Sequence, residues 1–92
     1  MLKIFVENQF KKDIKKISKS GTKKIEKIKR VIKLLENELP LESKYKQHKL
    51  SNNWKDHFEC HIEPDWLMIY KIDKNNKELI LVRTGSHSEL FK

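Results

Sequence analysis

The sequence predicts an α+β fold: a small antiparallel sheet of about four strands with two helices packed on one face. Three observations carry this. Segments at the N-terminus and in the second half alternate apolar and polar residues with the period of a strand. Two segments between them repeat apolar residues every three or four positions, as amphipathic helices do. The elements follow in the order strand, helix, helix, then three strands joined by short turns, an order that layers helices against one side of an antiparallel sheet.

Leu2 to Glu7 alternates Leu2, Ile4 and Val6 with Lys3, Phe5 and Glu7, a strand with one mostly polar face. Asn8 is suited to cap the next helix. Phe10, Ile14 and Ile17 then recur at spacings of four and three among lysines, which predicts a helix over Gln9 to Lys19. Ser20-Gly21 ends it, glycine being the usual left-handed cap. A second helix is expected from about Thr22 to Glu38, with Ile25, Ile28, Ile32 and Leu35 as its stripe and Pro40 beyond its end. The short connection predicts an antiparallel helical hairpin.

Leu41 to Asn53 is polar and without a period. Trp54 to Ile62 alternates again, placing His57, Glu59 and His61 on one face and Phe58, Cys60 and Ile62 on the other. Glu63-Pro64-Asp65 is a turn. Trp66 to Ile72 is an apolar strand, residues 73–77 form a hairpin loop, and Glu78 to Thr84 is the last strand. The tail from Ser86 to Phe91 has room for one helical turn.

Ninety-two residues, 37% of them hydrophobic, suffice for one domain over residues 1–92 with one modest core. Two glycines and two prolines exclude a collagen-like or low-complexity chain. Apolar runs such as Leu79 to Val82 are too short to span a bilayer, and the N-terminus lacks a signal-peptide pattern. A single cysteine, Cys60, excludes an intramolecular disulfide framework, and a reducing cytoplasmic location is expected.

The net charge is +8, and it is concentrated. Between Gln9 and Lys33 there are 11 basic and 2 acidic residues, so this third of the chain holds the whole excess. Such a field attracts phosphate backbones or an acidic partner; a solvated lysine-rich surface is the plainer alternative.

The second half holds a different set: His48, His57, His61, Asp65, Arg83 and His87. Imidazole can give and take protons near neutral pH, and guanidinium offers a fork of donors suited to phosphate oxygens. RNA can be cut without a metal when the ribose 2′-OH attacks the adjacent phosphorus. That needs a base, a cation beside the phosphate and an acid on the leaving 5′ oxygen, and this set supplies all three. His57, His61 and Asp65, spaced by four, also resemble a metal-ligand run, but no HExxH or Cys/His pair accompanies them, and neither a metal site nor a cofactor is expected. Trp54 reads as core or edge packing. Trp66 and Phe91 admit both core packing and stacking on unpaired bases, and the terminal position of Phe91 favours stacking.

The segments His48-Lys49-Leu50, Trp54-Lys55, His61-Ile62-Glu63-Pro64-Asp65-Trp66, Ile69-Tyr70, Arg83-Thr84-Gly85-Ser86-His87 and Leu90-Phe91 together resemble the YafQ branch of the RelE/ParE toxin superfamily. The resemblance runs the length of the chain, though the helices agree only in pattern. It implies a RelE-like fold, a curved antiparallel sheet with an N-terminal helical hairpin. It further implies a bacterial type II toxin that enters the ribosomal A site and cuts mRNA there without a metal, inhibiting translation.

The resemblance also implies a DinJ-like antitoxin as partner, with operator DNA bound only through the toxin–antitoxin complex and no membrane partner. By that likeness His48, His61, Asp65, Arg83 and His87 are the catalytic positions, Arg83 touching phosphate, and Trp66 and Phe91 hold substrate. His87 is the expected general acid, and Asp65 or His48 the base. Lys11, Lys15, Lys23 and Lys27 are expected to meet ribosomal RNA phosphates, contacts that carry no base information. Two other classes remain. One is a ParE-like gyrase inhibitor, a branch that generally lacks this histidine set. The other is a non-catalytic module that binds nucleic acid or an antitoxin.

Overall fold

A computed structural model describes residues 1–91. Five strands form one sheet: β1 (Lys3–Val6), β2 (His48–Lys49), β3 (Phe58–Glu63), β4 (Trp66–Asp73) and β5 (Glu78–Gly85). Three helices accompany them, α1 (Asn8–Ser20), α2 (Ile25–Glu36) and the single turn α3 (His87–Leu90), with short 3-10 turns at Ser43–Tyr45 and Asn52–Trp54. The strand order is β1-β5-β4-β3-β2.

The expected α+β architecture is present, with differences that have local causes. The sheet is mixed, because β1 runs parallel to β5, Lys3 beside Glu78 through Val6 beside Leu81. The other pairs are antiparallel. A fifth strand, β2, sets His48 opposite Glu59 and Lys49 opposite Phe58. The strand expected from Trp54 begins only at Phe58. Asn52 and Asp56 take left-handed backbone angles, φ 57° and 68°, which turn the chain instead of extending it. Trp54 therefore sits in a 3-10 turn before β3.

The helix boundaries also follow local chemistry. Asn8 is the first helical residue and Glu7 holds the cap position, with no side-chain cap bond. Gly21 ends α1 at φ 69°, where a side chain would be strained. Helix α2 closes before Pro40, because the chain reverses at Glu38 (φ 57°). The last turn, α3, begins with a reciprocal capping box between Ser86 and Glu89.

Both faces of the sheet are buried. Phe10 and Ile17 of α1 and Ile28, Val31 and Leu35 of α2 pack on one face against Cys60, Trp66, Met68 and Tyr70. On the other face Leu67, Ile69 and Val82 are covered by Leu90 of α3, with Leu50 and Trp54 alongside. Alternate residues of β4 serve the two cores, so Trp66 to Tyr70 are all inaccessible to solvent. Cys60 is in the first core, as its strand face implied, and burial pushes its thiol up to about 12. None of the described helices is long and apolar enough to cross a membrane.

Candidate active site

Strand pairing builds the site. Glu59 and His61 share one face of β3 because side chains alternate, and pairing with β2 brings His48 opposite Glu59. Glu59 is buried, and its carboxylate lies 3.2 Å from His61 Nε2 and 3.7 Å from His48 Nε2. A buried carboxylate is costly without such partners. His48 is aimed by its other nitrogen, whose Nδ1 lies 2.8 Å from the Lys46 carbonyl.

His87 arrives from beyond the end of β5, on the first turn of α3. Asp65, in the β3–β4 turn, accepts from His87 twice at Oδ1: from the backbone N–H at 3.0 Å and from ring Nδ1 at 2.7 Å. An ionised carboxylate only accepts, so Nδ1 carries a proton toward Asp65, and Nε2 has no hydrogen-bond partner among the described residues. The backbone N–H bond from His87, then the ring bond, holds the Asp65 carboxyl below the usual range. The rings form a row, with His48 and His61 6.4 Å apart between centroids and His61 and His87 5.6 Å apart.

His61 and His87 border a cleft of about 760 Å³ whose wall carries Lys27, Arg30, Lys44 and Lys46. Lys27 is tied there to Glu63 at 2.6 Å. The cleft thus pairs exposed imidazole edges with a rim of cations, an arrangement suited to a phosphodiester. One ligand atom each from Glu59, His61 and His87 also lies within 4.8 Å of the others. Two imidazoles and a carboxylate are a donor set for a transition metal.

Of the expected site residues, His48, His61, Asp65 and His87 come together. Trp66 does not join them, and its expected substrate contact needs correction. It is fully buried, with its indole Nε1 donating to Thr84 Oγ1 at 2.9 Å, so neither ring face is open. Phe91 is exposed next to α3 and keeps a free face. Arg83 is also absent from the cleft lining: its Nε and Nη2 donate to Asp13 of α1 at 2.8 and 3.3 Å. Among the lysines singled out on the helices, only Lys27 borders the cleft. His57 stands apart, its Nδ1 3.0 Å from the Lys55 carbonyl.

Two acids escape a reading by composition. Asp13 sits in the apolar stripe of α1 between Phe10 and Ile17, and besides Arg83 it accepts the Thr84 N–H at 3.1 Å. It thereby satisfies the β5 edge beyond the last β1 pair at Leu81. Glu59 has the stronger signal, since it shares the strand period of His61.

Helix α3 is clipped to α1 by Lys16 and Glu89 at 2.9 Å. The Ser86 N–H and then Lys16 depress the Glu89 carboxyl to about 2. A carboxylate with a lowered folded pKa contributes stability that is present above its unfolded value, 4.5 here, and is lost as pH falls through the folded value. Asp65 acts in the same direction. The melting temperature should hold above about pH 5 and fall as pH drops from about 4.5 toward 2, and Glu89→Gln should shrink that fall. Equal melting temperatures for the parent protein across this range would contradict the assignment.

Comparison with known proteins places these features. The family model described as "Bacterial toxin of type II toxin-antitoxin system, YafQ" matches residues 2–92. The chain is 43% identical over 84 residues to the mRNA interferase toxin YafQ of Escherichia coli (strain B / BL21-DE3), covering 90% of this chain and 88% of that protein. It resembles a metal-bound toxin from Helicobacter pylori with a TM-score of 0.92 and 45% identity, over 99% of this chain and 100% of that one. It resembles a chain of the E. coli DinJ–YafQ complex with a TM-score of 0.86 and 40% identity, over the full length of both. With the family's model matched from Leu2 to the last residue and relatives above 40% identity over most of the chain, this protein belongs to the YafQ family of bacterial type II toxins.

Proposed function

We propose that the protein is an endoribonuclease that cuts mRNA on the ribosome by metal-independent acid–base catalysis, and that a DinJ-like antitoxin neutralises it. The observation that carries this reading is the Asp65–His87 pair, which fixes an imidazole 5.6 Å from the His61 ring on the border of a cation-rimmed cleft. The name of the E. coli relative, an mRNA interferase, supports the reaction, and the DinJ–YafQ complex supports the partner.

In this reading the 2′-OH attacks the adjacent phosphorus. As the imidazolium, protonated on both ring nitrogens, His87 gives its Nε2 proton to the departing 5′ oxygen, while its Nδ1–H stays on Asp65. Glu59, with His48 and His61, takes the proton from the 2′-OH. Arg30, Lys44 and Lys46 balance the charge that builds on the phosphoryl oxygens. Arg83, with its Nε–H and one Nη2–H committed to Asp13, keeps three N–H donors but is held against α1, away from the cleft. The metal-bound relative directs attention to Glu59, His61 and His87 as ligands. A metal would supply Lewis-acid chemistry there, but it would also occupy the ring nitrogens that this reaction uses, so its expected effect is competition.

The test is a cell-free translation system in which reporter mRNA ends are mapped after addition of the purified chain. Cuts within translated codons are expected, and no cuts when ribosomes are omitted. Equal cutting of free mRNA would remove the ribosome from the account. No cutting in either case would leave a binding module. Ribosome affinity draws on the helical charge block. Changing Lys11, Lys15 and Lys23 together to Gln should weaken ribosome binding and lower its salt slope by up to about 3, with little change in the rate on saturated ribosomes, whereas Lys27, on the cleft wall, is left in place. An unchanged slope would mean that these side chains are only solvated.

A further inference from the structure

The same sheet face that carries the histidine row also carries an aromatic cleft that the reaction does not use. It encloses about 660 Å³ and is lined by Leu50, Asn53, Trp54, His57, Leu90 and Phe91, among others. Trp54 stands edge-to-face with Phe91 at 6.3 Å between centroids and with His57 at 5.2 Å. Leu90 and Leu50 form its apolar base within the second core.

Three walls of the cleft come from chain segments that adjoin the site residues in sequence. Phe91 follows α3, whose first residue is His87, and four residues of helix advance about 6 Å. Leu50 follows β2, which carries His48, and His57 precedes β3, which carries Glu59 and His61. The loop between them is held by its own backbone: Leu50 N–H to the His57 carbonyl at 2.9 Å, Trp54 N–H to the Ser51 carbonyl at 3.1 Å and His57 N–H to the Trp54 carbonyl at 3.0 Å. Asn52 and Asp56, on either side of Trp54, keep left-handed angles that cost energy in non-glycine residues. The aromatic walls are therefore preformed.

We propose that this cleft is a nucleobase subsite, in which Trp54, His57 and Phe91 take one unstacked base of the RNA strand next to the phosphate that is cut. The inference rests on the reading of the chain as an RNA-cutting enzyme. Single-stranded RNA is held by stacking bases on aromatic side chains, and each such base contributes sequence-tolerant affinity. The tryptophan expected to do this from the family likeness, Trp66, is sealed in the core. Trp54 is partly buried rather than sealed, and it faces Phe91 across the cleft. Asn53 and Ser51 on the rim offer donors and acceptors to a base edge.

The experiment uses the full chain carrying His87→Gln, so that the probe is not cut, and follows the two indole N–H signals and the His61 ring by NMR. The probes are a single-stranded hexaribonucleotide and a set of the same hexamers with one abasic position moved stepwise. With the intact hexamer the Trp54 indole and the His61 ring should shift while the Trp66 indole stays. One abasic position should abolish the Trp54 shift and leave that of His61. A Trp54 signal that is silent while His61 moves, or that shifts equally with every abasic hexamer, would overturn the subsite and leave the cutting reaction intact. Silence of both residues would overturn the subsite, and the ribosome-based cutting assay would decide the RNA-cutting reading separately. In cleavage assays Trp54→Leu should raise KM by about 5- to 150-fold with kcat little changed, and Trp54→Phe, which keeps a stacking face, should restore most of it. A KM unmoved by Trp54→Leu in a protein that melts normally would also overturn the proposal.

Discussion

Replacing His87 with Gln should lower the rate of mRNA cutting by about 10² to 10⁴ while leaving the fold and antitoxin binding in place. The side chain is half exposed and outside both cores, so its loss opens no cavity. Gln keeps the size and a donor for Asp65 but cannot deliver a proton near neutral pH. The expected reading is a normal melting temperature, normal binding of ribosome and antitoxin, and loss of growth arrest at matched expression. A substrate with sulfur at the 5′ leaving position needs no protonation and should largely rescue this variant. Full toxicity of His87→Gln would remove His87 from the mechanism. Lost activity without sulfur rescue would keep it in the site but deny it the acid role.

Trp66→Ala should cost about 3 to 5 kcal/mol of stability, the range for emptying a large aromatic site in a packed core. That is a large share of a small domain's total of about 5 to 15 kcal/mol. It would lower the melting temperature by at least about 12 °C at the usual 4 to 8 °C per kcal/mol for this length. The loss has two parts, the volume of the indole and the orphaned Thr84 hydroxyl, which still donates to the Leu67 carbonyl at 2.7 Å. Trp66→Phe should recover much of the packing. A variant that melts like the parent protein but binds RNA poorly would return Trp66 to the substrate site and contradict its placement.

The fate of Trp66 shows where the sequence was legible and where it was not. The run Trp66 to Tyr70 is uninterrupted and apolar, which is the mark of a strand buried on both faces; that signal outweighs the likeness that assigned Trp66 to substrate. The β4–β5 hairpin was legible because its period and its turn residues agree. The parallel pairing of β1 with β5 was not, since alternation looks the same in parallel and antiparallel strands and the partners lie 75 positions apart. Strand β2 has only two residues, too few to show a period. In the site, the meeting of His48, His61, Asp65 and His87 followed the expectation. Arg83 did not, because its partner Asp13 is far away in sequence and was hidden as a minority charge in a basic block. Glu59 was visible on the histidine face of β3, but a buried carboxylate between two imidazoles needs β2, the element with the weakest signal.

The central claim is that the 2′-OH of the RNA is the nucleophile and that side chains alone move the protons. The most direct test is the chemistry of the fragment ends. RNA cut by the purified protein with its ribosomal substrate should carry a 2′,3′-cyclic phosphate on the upstream fragment and a free 5′-OH on the downstream one. The same ends should be lost, not altered, in His87→Gln. An upstream 3′-OH with a downstream 5′-phosphate would mean that water attacked the phosphorus, and it would contradict the account.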